Sequence, residues 1–145
     1  MDVRRLLGRF LEIAIGALFI YAGVLKVLDP VGFAGDIENY HIVPWTVGVR
    51  LAFYLPWLEI VCGFALLPHR GSRGALGILS GLTLIFIIAS IAAKARGIDV
   101  SCGCFGHVAR NLSFAWHLVI DFAILGALAV LLLRRSRERA VGQRG

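Results

Sequence analysis

Charged residues are scarce in this sequence: they make up 17% of the 145 residues, whereas 59% are hydrophobic and the mean hydropathy is +0.82. A soluble domain of this size has no interior large enough to bury so much apolar surface. The chain also lacks a low-complexity tract, a linker-like segment, a convincing internal repeat and a phosphate-binding glycine loop. These absences favour one compact membrane domain without a nucleotide site.

Four apolar runs are each long enough to cross a bilayer, which takes about 20 residues. Because a backbone in lipid must satisfy its own hydrogen bonds, and because the runs are too long for strands, we predict four transmembrane helices. The predicted spans are 10–28, 49–67, 75–95 and 114–133. The first run follows three arginines, as a signal peptide would, but it is longer than a usual signal segment and lacks an Ala-x-Ala exit. We therefore expect an all-α, four-helix membrane bundle.

The basic residues predict the orientation of this bundle. Ten of them fall on one side of the predicted membrane, namely Arg4, Arg5, Arg9, Arg70, Arg73, Arg134, Arg135, Arg137, Arg139 and Arg144. Five fall on the other side, namely Lys26, Arg50, Lys94, Arg96 and Arg110. Since the richer side is usually cytoplasmic, we expect an inner (cytoplasmic) membrane protein with both termini inside and the last loop facing the periplasm or exterior. Topology and contact with anionic membrane lipids then explain the net charge of +6, which gives no reason to invoke nucleic acid.

The first outer loop is predicted to contain a short helix. Asp29 can cap this helix, and Pro30 suits its first position. Phe33, Ile37 and Tyr40 recur at spacings of four and three residues, which places them on one face. We expect the helix to lie at the membrane surface, either as an anchor or as a lid over the last outer loop.

Two of the three cysteines, Cys102 and Cys104, lie one residue apart in the last outer loop, within the string Ser-Cys-Gly-Cys-Phe-Gly. A pair so close can form a strained small-ring disulfide, for which Gly103 gives the backbone freedom, and strain makes such a bond easy to reduce. His107 and Arg110 follow closely and can stabilise a thiolate. We therefore predict that Cys102 and Cys104 are a redox-active, catalytic pair.

Two other interpretations of these thiols remain open. A static disulfide would pin the loop, although a bridge between near neighbours stabilises little. Cys102, Cys104 and His107 also form a Cys-x-Cys-x-x-His pattern whose soft ligands suit Cu(I) or Zn(II), although a tetrahedral site needs a further ligand. Our first interpretation includes no metal. The third cysteine, Cys62, lies in the middle of the second span and is interpreted as a small packing residue.

Ionisable residues inside the predicted spans form a second candidate site. A charge in lipid is unfavourable, so such residues usually have a partner and are candidates for a function. Lys26 ends the first span, Glu59 lies in the second, and His117 and Asp121 share a face of the fourth because they are four residues apart. We predict that these side chains cluster in the bundle interior. The cluster would serve as a proton path, as the polar end of a quinone pocket, or as a structural knot between helices.

Aromatic residues near the second and fourth spans are candidates for binding the ring of a quinone, although such residues more often pack or sit at the membrane interface. They are Phe53, Tyr54, Trp57 and Trp116. Two smaller expectations concern the helices themselves. Gly77 and Gly81, one turn apart, permit a close helix contact within or between subunits. Glu12 can reach toward the cytoplasm, and we assign it no role.

Several segments resemble one family of membrane proteins. They are Tyr-Ala-Gly-Val-Leu-Lys at 21–26, Asp-Pro at 29–30, Phe-Ala at 33–34, Leu-Pro-Trp-Leu-Glu at 55–59 and Cys-Gly-Cys-Phe-Gly at 102–106. From about residue 15 to residue 125 the chain is similar to DoxX-like and MauE-type (methylamine-utilisation) proteins. The resemblance implies a small four-helix membrane protein and singles out Lys26, Glu59, Cys102 and Cys104. MauE-type members are associated with periplasmic thioredoxin-like proteins and disulfide handling, and DoxX-like members with sulfur or quinone redox chemistry.

The leading hypothesis is an inner-membrane thiol–disulfide oxidoreductase that exchanges disulfides with a soluble thioredoxin-like partner on its outer face and is coupled to a quinone. The chain lacks the Cys-x-x-Cys pair and the second cysteine pair of the four-helix membrane thiol oxidases that feed quinones. Two alternatives are a Cu(I)- or Zn(II)-binding membrane protein and a non-catalytic membrane subunit that scaffolds a soluble redox enzyme.

Overall fold

A computed structural model describes residues 2–68, 72–97 and 114–143, which form five α-helices. The helices are α1 (Val3–Leu28), α2 (Pro30–Asn39), α3 (Trp45–Leu66), α4 (Ser72–Ala95) and α5 (Phe114–Gly142). All except α2 are long and apolar enough to cross a membrane. The prediction of an all-α bundle with four spanning helices and one short helix in the first loop is confirmed.

The helices extend furthest beyond the apolar runs where arginines flank those runs, before the first run and after the last. α1 begins at Val3, seven residues before the predicted span, and α5 continues to Gly142, nine residues past it. Hydropathy marks the part of a helix that lies in lipid, whereas arginine is a good helix former and lets the same helix continue into the polar zone. Both extensions lie at the same end of the bundle, since α1 begins there and α5 ends there.

The pair α1 and α3 packs most extensively, and glycines allow the close approach. A Cβ atom added at Gly16 would lie 2.9 Å from the carbonyl oxygen of Gly63, and one added at Gly23 would lie 2.8 Å from that of Pro56. Small residues at crossing points are the usual device for bringing membrane helices together. Gly77 and Gly81 make no such contact within the described chain, because a Cβ atom at either position would meet nothing within 4 Å.

The main apolar core lies between α1, α3, α4 and α5. Its buried members include Ile15, Phe19, Cys62, Leu66, Leu76, Leu79, Leu128 and Leu131. Cys62 is a free thiol that is only 4% exposed, so it packs in the core as expected. Because this core fills the half of the bundle near the beginning of α1, polar side chains that enter the interior do so mainly nearer the other end.

The short helix α2 covers that other end. Asp29 Oδ1 accepts a hydrogen bond from the backbone N–H of Gly32 at 2.9 Å, and Pro30 occupies the first helical position, as the sequence predicts. Phe33 and Ile37 are buried against Ala52 of α3. The apolar face of α2 therefore packs onto the bundle, in addition to any contact that the helix makes with the membrane surface.

The chain after α2 also meets the end of α4. His41 has a positive φ of 49°, and its carbonyl oxygen accepts a hydrogen bond from Arg96 Nη1 at 3.3 Å. Arg96 directly follows α4. The chain that follows α4 therefore begins beside α2.

Candidate functional site

A buried ion pair between α1 and α3 is the centre of the candidate site. Lys26 Nζ donates hydrogen bonds to both carboxylate oxygens of Glu59, at 2.7 and 2.8 Å. Each side chain is only 2% exposed. Lys26 lies two residues before the end of α1, and Glu59 lies one turn after Pro56 in α3. Since an isolated charge in lipid is strongly unfavourable, this two-point contact is what allows both groups to remain in the interior.

Two aromatic rings complete the environment of the lysine. Lys26 Nζ lies 5.1 Å from the ring centroid of Phe33 in α2 and 5.0 Å from that of Phe86 in α4. A cation at this distance from an aromatic face is stabilised by the ring, by about 2 kcal/mol where water is excluded. Lys26 thus joins α1 to α2, α3 and α4 at once. Phe86 could not be singled out from the sequence, because it is one apolar residue among many in its span.

Asp121 of α5 reaches the same region. A cavity of about 30 Å³ is lined by atoms of Lys26, Glu59, Thr83, Phe86 and Asp121, with apolar residues of α1 and α5 around them. Asp121 is buried, and so is His117 one turn earlier on α5. The structure therefore buries all four ionisable residues that the sequence predicted to cluster. Three of them line one cavity, whereas His117 is not among its lining residues.

The cluster lies at the end of the bundle where α4 ends and α5 begins. Lys26 is in the last turn of α1, and Asp121 lies seven residues into α5, which corresponds to a rise of about 10 Å. The predicted thiol pair Cys102 and Cys104 and the predicted thiolate-stabilising residues His107 and Arg110 lie outside the described residues. Their predicted roles therefore rest on the sequence and on the positions of the end of α4 and the beginning of α5, between which they lie in the chain.

The aromatic candidates for quinone binding lie on the outside of the bundle. Phe53, Tyr54 and Trp57 on α3 and Trp116 on α5 are each more than half exposed, and in a membrane such faces contact lipid. The internal cavity of about 30 Å³ has room for one or two water molecules and does not fit a quinone ring. A quinone would have to approach these aromatic side chains from the lipid, and its binding stays a prediction.

A second buried carboxylate lies near the opposite end. Glu12 is only 3% exposed and accepts hydrogen bonds from Arg135 Nη2 at 2.7 and 2.9 Å and from Arg9 Nη1 at 3.3 Å. Arg9 also donates to the carbonyl oxygens of Leu66 and Leu67 at the end of α3. Glu12 does not extend into solvent, because two arginines hold its carboxylate in a buried position at the arginine-rich end of the bundle.

Comparison with known proteins gives a family. The family model described as methylamine utilisation protein MauE matches residues 4–134. The methylamine utilization protein MauE of Methylophilus methylotrophus is 29% identical over 122 residues, which are 83% of this chain and 62% of that relative. The chain thus spans less than two thirds of the length of the curated relative that it matches. No solved structure matches the chain. The matched range includes the ion pair, Asp121 and both loop cysteines, and the predicted resemblance to MauE-type proteins is confirmed.

Proposed function

The chain belongs to the MauE family, and from that premise we propose that it is a membrane thiol–disulfide oxidoreductase that takes part in methylamine utilisation. Cys102 and Cys104 exchange disulfides with a soluble thioredoxin-like protein. The observation that carries this proposal is the buried cluster of Lys26, Glu59 and Asp121, which lies at the end of the bundle where the cysteine segment joins α4 to α5.

The exchange itself needs only the two cysteines. A thiolate of the reduced partner attacks one sulfur of the Cys102–Cys104 disulfide, forms a mixed disulfide and releases the other cysteine as a thiol. The second partner thiol then attacks the mixed disulfide, so that the partner leaves oxidised and both cysteines are left reduced. Two electrons and two protons have moved to the pair. The same steps in reverse reduce the partner.

A second reaction has to oxidise the two thiols back to a disulfide, and we propose a membrane quinone as the electron acceptor. It takes two electrons and two protons from the dithiol and becomes a quinol. This chain's residues supply the route for the protons. The cluster contains one amino group and two carboxyl groups, so it is electrically neutral when one carboxyl carries a proton. A carboxyl group of this cluster can accept a proton from a thiol and release it again.

Thiol labelling in redox buffers tests the exchange. Purified protein in nanodiscs is equilibrated with thioredoxin and glutathione buffers over a range of potentials, and free thiols are counted by the gel shift of a polymer-linked maleimide. Two thiols should titrate together in the wild type and in the control Cys62→Ser, whose substituted thiol lies in the core. Cys102→Ser and Cys104→Ser should each abolish this transition. In the glutathione buffer, a thioredoxin variant that lacks its second active-site cysteine cannot resolve the mixed disulfide, so it should be trapped on the remaining cysteine of either variant.

Other outcomes identify the alternatives. Stoichiometric Cu(I) or Zn(II) on the reduced protein, without exchange, would favour the metal-binding interpretation. A stable partner complex that survives both serine substitutions would favour a scaffold. If exchange occurs but a soluble ubiquinone analogue fails to re-oxidise the pair, the oxidoreductase assignment stands and the proposed acceptor is wrong.

A further inference from the structure

A groove at the opposite end of the bundle from Lys26 carries a concentration of positive charge that the thiol chemistry does not use. The beginning of α1 and the end of α5 enclose a space of about 940 Å³. Among the residues that the structure describes, its lining contains two glutamates, Glu12 and Glu138, and six arginines, namely Arg4, Arg5, Arg9, Arg134, Arg135 and Arg137. These side chains leave a net charge of +4 in a space the size of a small ligand.

Contacts within the groove divide the arginines into two groups. Arg135 and Arg9 hold Glu12, and Arg135 Nη1 also lies 4.0 Å from Glu138. Arg134 Nη1 donates to the backbone carbonyl oxygen of Arg4 at 2.9 Å, which joins the two helices but leaves its charge uncompensated. In the described ranges, no acidic side chain pairs with this residue or with the remaining three groove arginines, Arg4, Arg5 and Arg137. The groove therefore presents four uncompensated guanidinium groups.

The backbone of α1 makes room for this arrangement. Gly8 lies so close to Arg134 that a Cβ atom added there would be 2.7 Å from Arg134 Nη1. One end of the guanidinium group thus approaches α1 at the point where a side chain would otherwise fill the groove. Guanidinium groups donate paired hydrogen bonds to phosphate oxygens, and several of them around one space form a site for phosphate.

A strip of apolar residues on one face of α5 leads from the groove toward the membrane. Ala123, Ala127 and Val130 precede Arg134 by eleven, seven and four residues, so all three share its face of α5. Ala123 and Val130 are exposed, Ala127 is half-buried, and α5 has the least buried apolar window of the four spanning helices. A phosphate group bound among the arginines can therefore carry acyl chains that lie along these apolar residues of α5. A free phosphate ion has no acyl chains that could contact them.

We propose that this groove binds the headgroup of an anionic phospholipid, with its phosphate among Arg4, Arg5, Arg134 and Arg137 and its acyl chains along α5. Basic pockets between membrane helices are known to take such headgroups. The net charge of +4 accommodates two phosphodiesters, so a two-phosphate headgroup of the cardiolipin type binds more tightly than the one-phosphate headgroup of phosphatidylglycerol. The proposal is independent of the thiol chemistry.

Native mass spectrometry of the full chain in detergent tests the proposal, with cardiolipin, phosphatidylglycerol and phosphatidylethanolamine added separately. Cardiolipin should bind at one site, at least about tenfold more tightly than phosphatidylethanolamine, and its affinity should fall as salt rises. The triple variant Arg4→Gln/Arg5→Gln/Arg137→Gln, which leaves the contacts of Glu12 intact, should weaken cardiolipin binding by at least about tenfold. The matched control Arg50→Gln/Arg73→Gln/Arg96→Gln removes three charges outside the groove and should bind as the wild type does.

Several results would overturn the proposal. These are unchanged binding in the triple variant, an equal loss in the control, and equal affinity for phosphatidylethanolamine. Inorganic phosphate is a separate arm: if it alone raises the unfolding temperature as much as cardiolipin does, the site belongs to a free anion and the lipid assignment is wrong. If the triple variant does not fold, the single variant Arg5→Gln replaces it and should weaken cardiolipin binding by about fivefold.

Discussion

Lys26 and Glu59 face each other across the contact between α1 and α3, with Nζ 2.7 and 2.8 Å from the two carboxylate oxygens. The pair depends on the glycine contacts below it. Because Gly23 has no side chain, α1 comes so close to α3 that a Cβ atom there would lie 3.4 Å from the Cβ atom of Glu59. Lys26, three residues further along, then reaches the carboxylate. Packing of small residues and burial of charge are two parts of one arrangement.

Removing one partner of this ion pair should destabilise the protein more than removing both. Lys26→Met and Glu59→Gln each break a buried pair, and we expect each to lower the free energy of unfolding by about 3–5 kcal/mol. The double variant should lose less than either single variant, because it leaves neither charge unpaired. Thermal unfolding in detergent micelles measures this, and single variants that unfold at the wild-type temperature would contradict the role assigned to the pair.

Replacing glycines by alanine should have different effects in the α1–α3 contact and at positions without close neighbours. Gly23→Ala places a Cβ atom 2.7 Å from Ile60 Cγ1 and 2.8 Å from the carbonyl oxygen of Pro56, and should lower the unfolding temperature. Gly77→Ala meets nothing within 4 Å and is the matched control, which should be neutral or slightly stabilising because alanine favours helix. Equal effects of the two substitutions would show that the close approach at Gly23 is not as described.

The carboxylate at the arginine-rich end gives another test. Glu12→Gln leaves Arg135 and Arg9 without the charge that they share, and should destabilise the protein by about 3 kcal/mol or more. Arg137→Gln, also on α5 but free of that contact, should change the unfolding free energy by less than about 1 kcal/mol. Chemical unfolding of both variants, followed by circular dichroism, makes the comparison. The assignment fails if Glu12→Gln is as stable as the wild type.

The proton-handling role of the cluster predicts a separation of two rates. Asp121→Asn removes an ionisable group from the cavity, so re-oxidation of the thiol pair by a ubiquinone analogue should slow by about 100-fold. Disulfide exchange with thioredoxin, which uses only the cysteines, should keep its rate. Thr83→Val alters the same cavity without removing a charge and should leave both rates near those of the wild type. Equal slowing of re-oxidation by both substitutions would assign Asp121 a packing role.

Much of the fold could be predicted from the sequence, because membrane-spanning helices depend on the length of apolar runs and α2 on the local signals of Asp29 and Pro30. The ionisable candidates could also be predicted, since Lys26, Glu59 and Asp121 stand out in apolar surroundings. Their pairing could not: Lys26 and Glu59 are 33 residues apart, and only the crossing of α1 and α3 brings them together.

The arginine-rich end was harder to predict for the same reason. Arg135 lies 123 residues from Glu12, and local hydropathy gives no sign that the two meet. Membrane topology already explains the positive charge at this end, so the sequence alone gives no reason to assign these arginines a second role. The extension of α1 and α5 past their apolar runs, which builds the groove, likewise depends on helix propensity and packing in the polar zone.

The redox state of Cys102 and Cys104 in native membranes, measured by maleimide labelling with and without depletion of quinone, is the decisive test of the proposed thiol chemistry. We expect an outward-facing pair that shifts from mainly disulfide toward mainly dithiol when quinone is depleted, and that returns when a quinone analogue is added. A pair that is labelled from the cytoplasmic side, or that keeps one oxidation state under every donor and acceptor supplied, would contradict it.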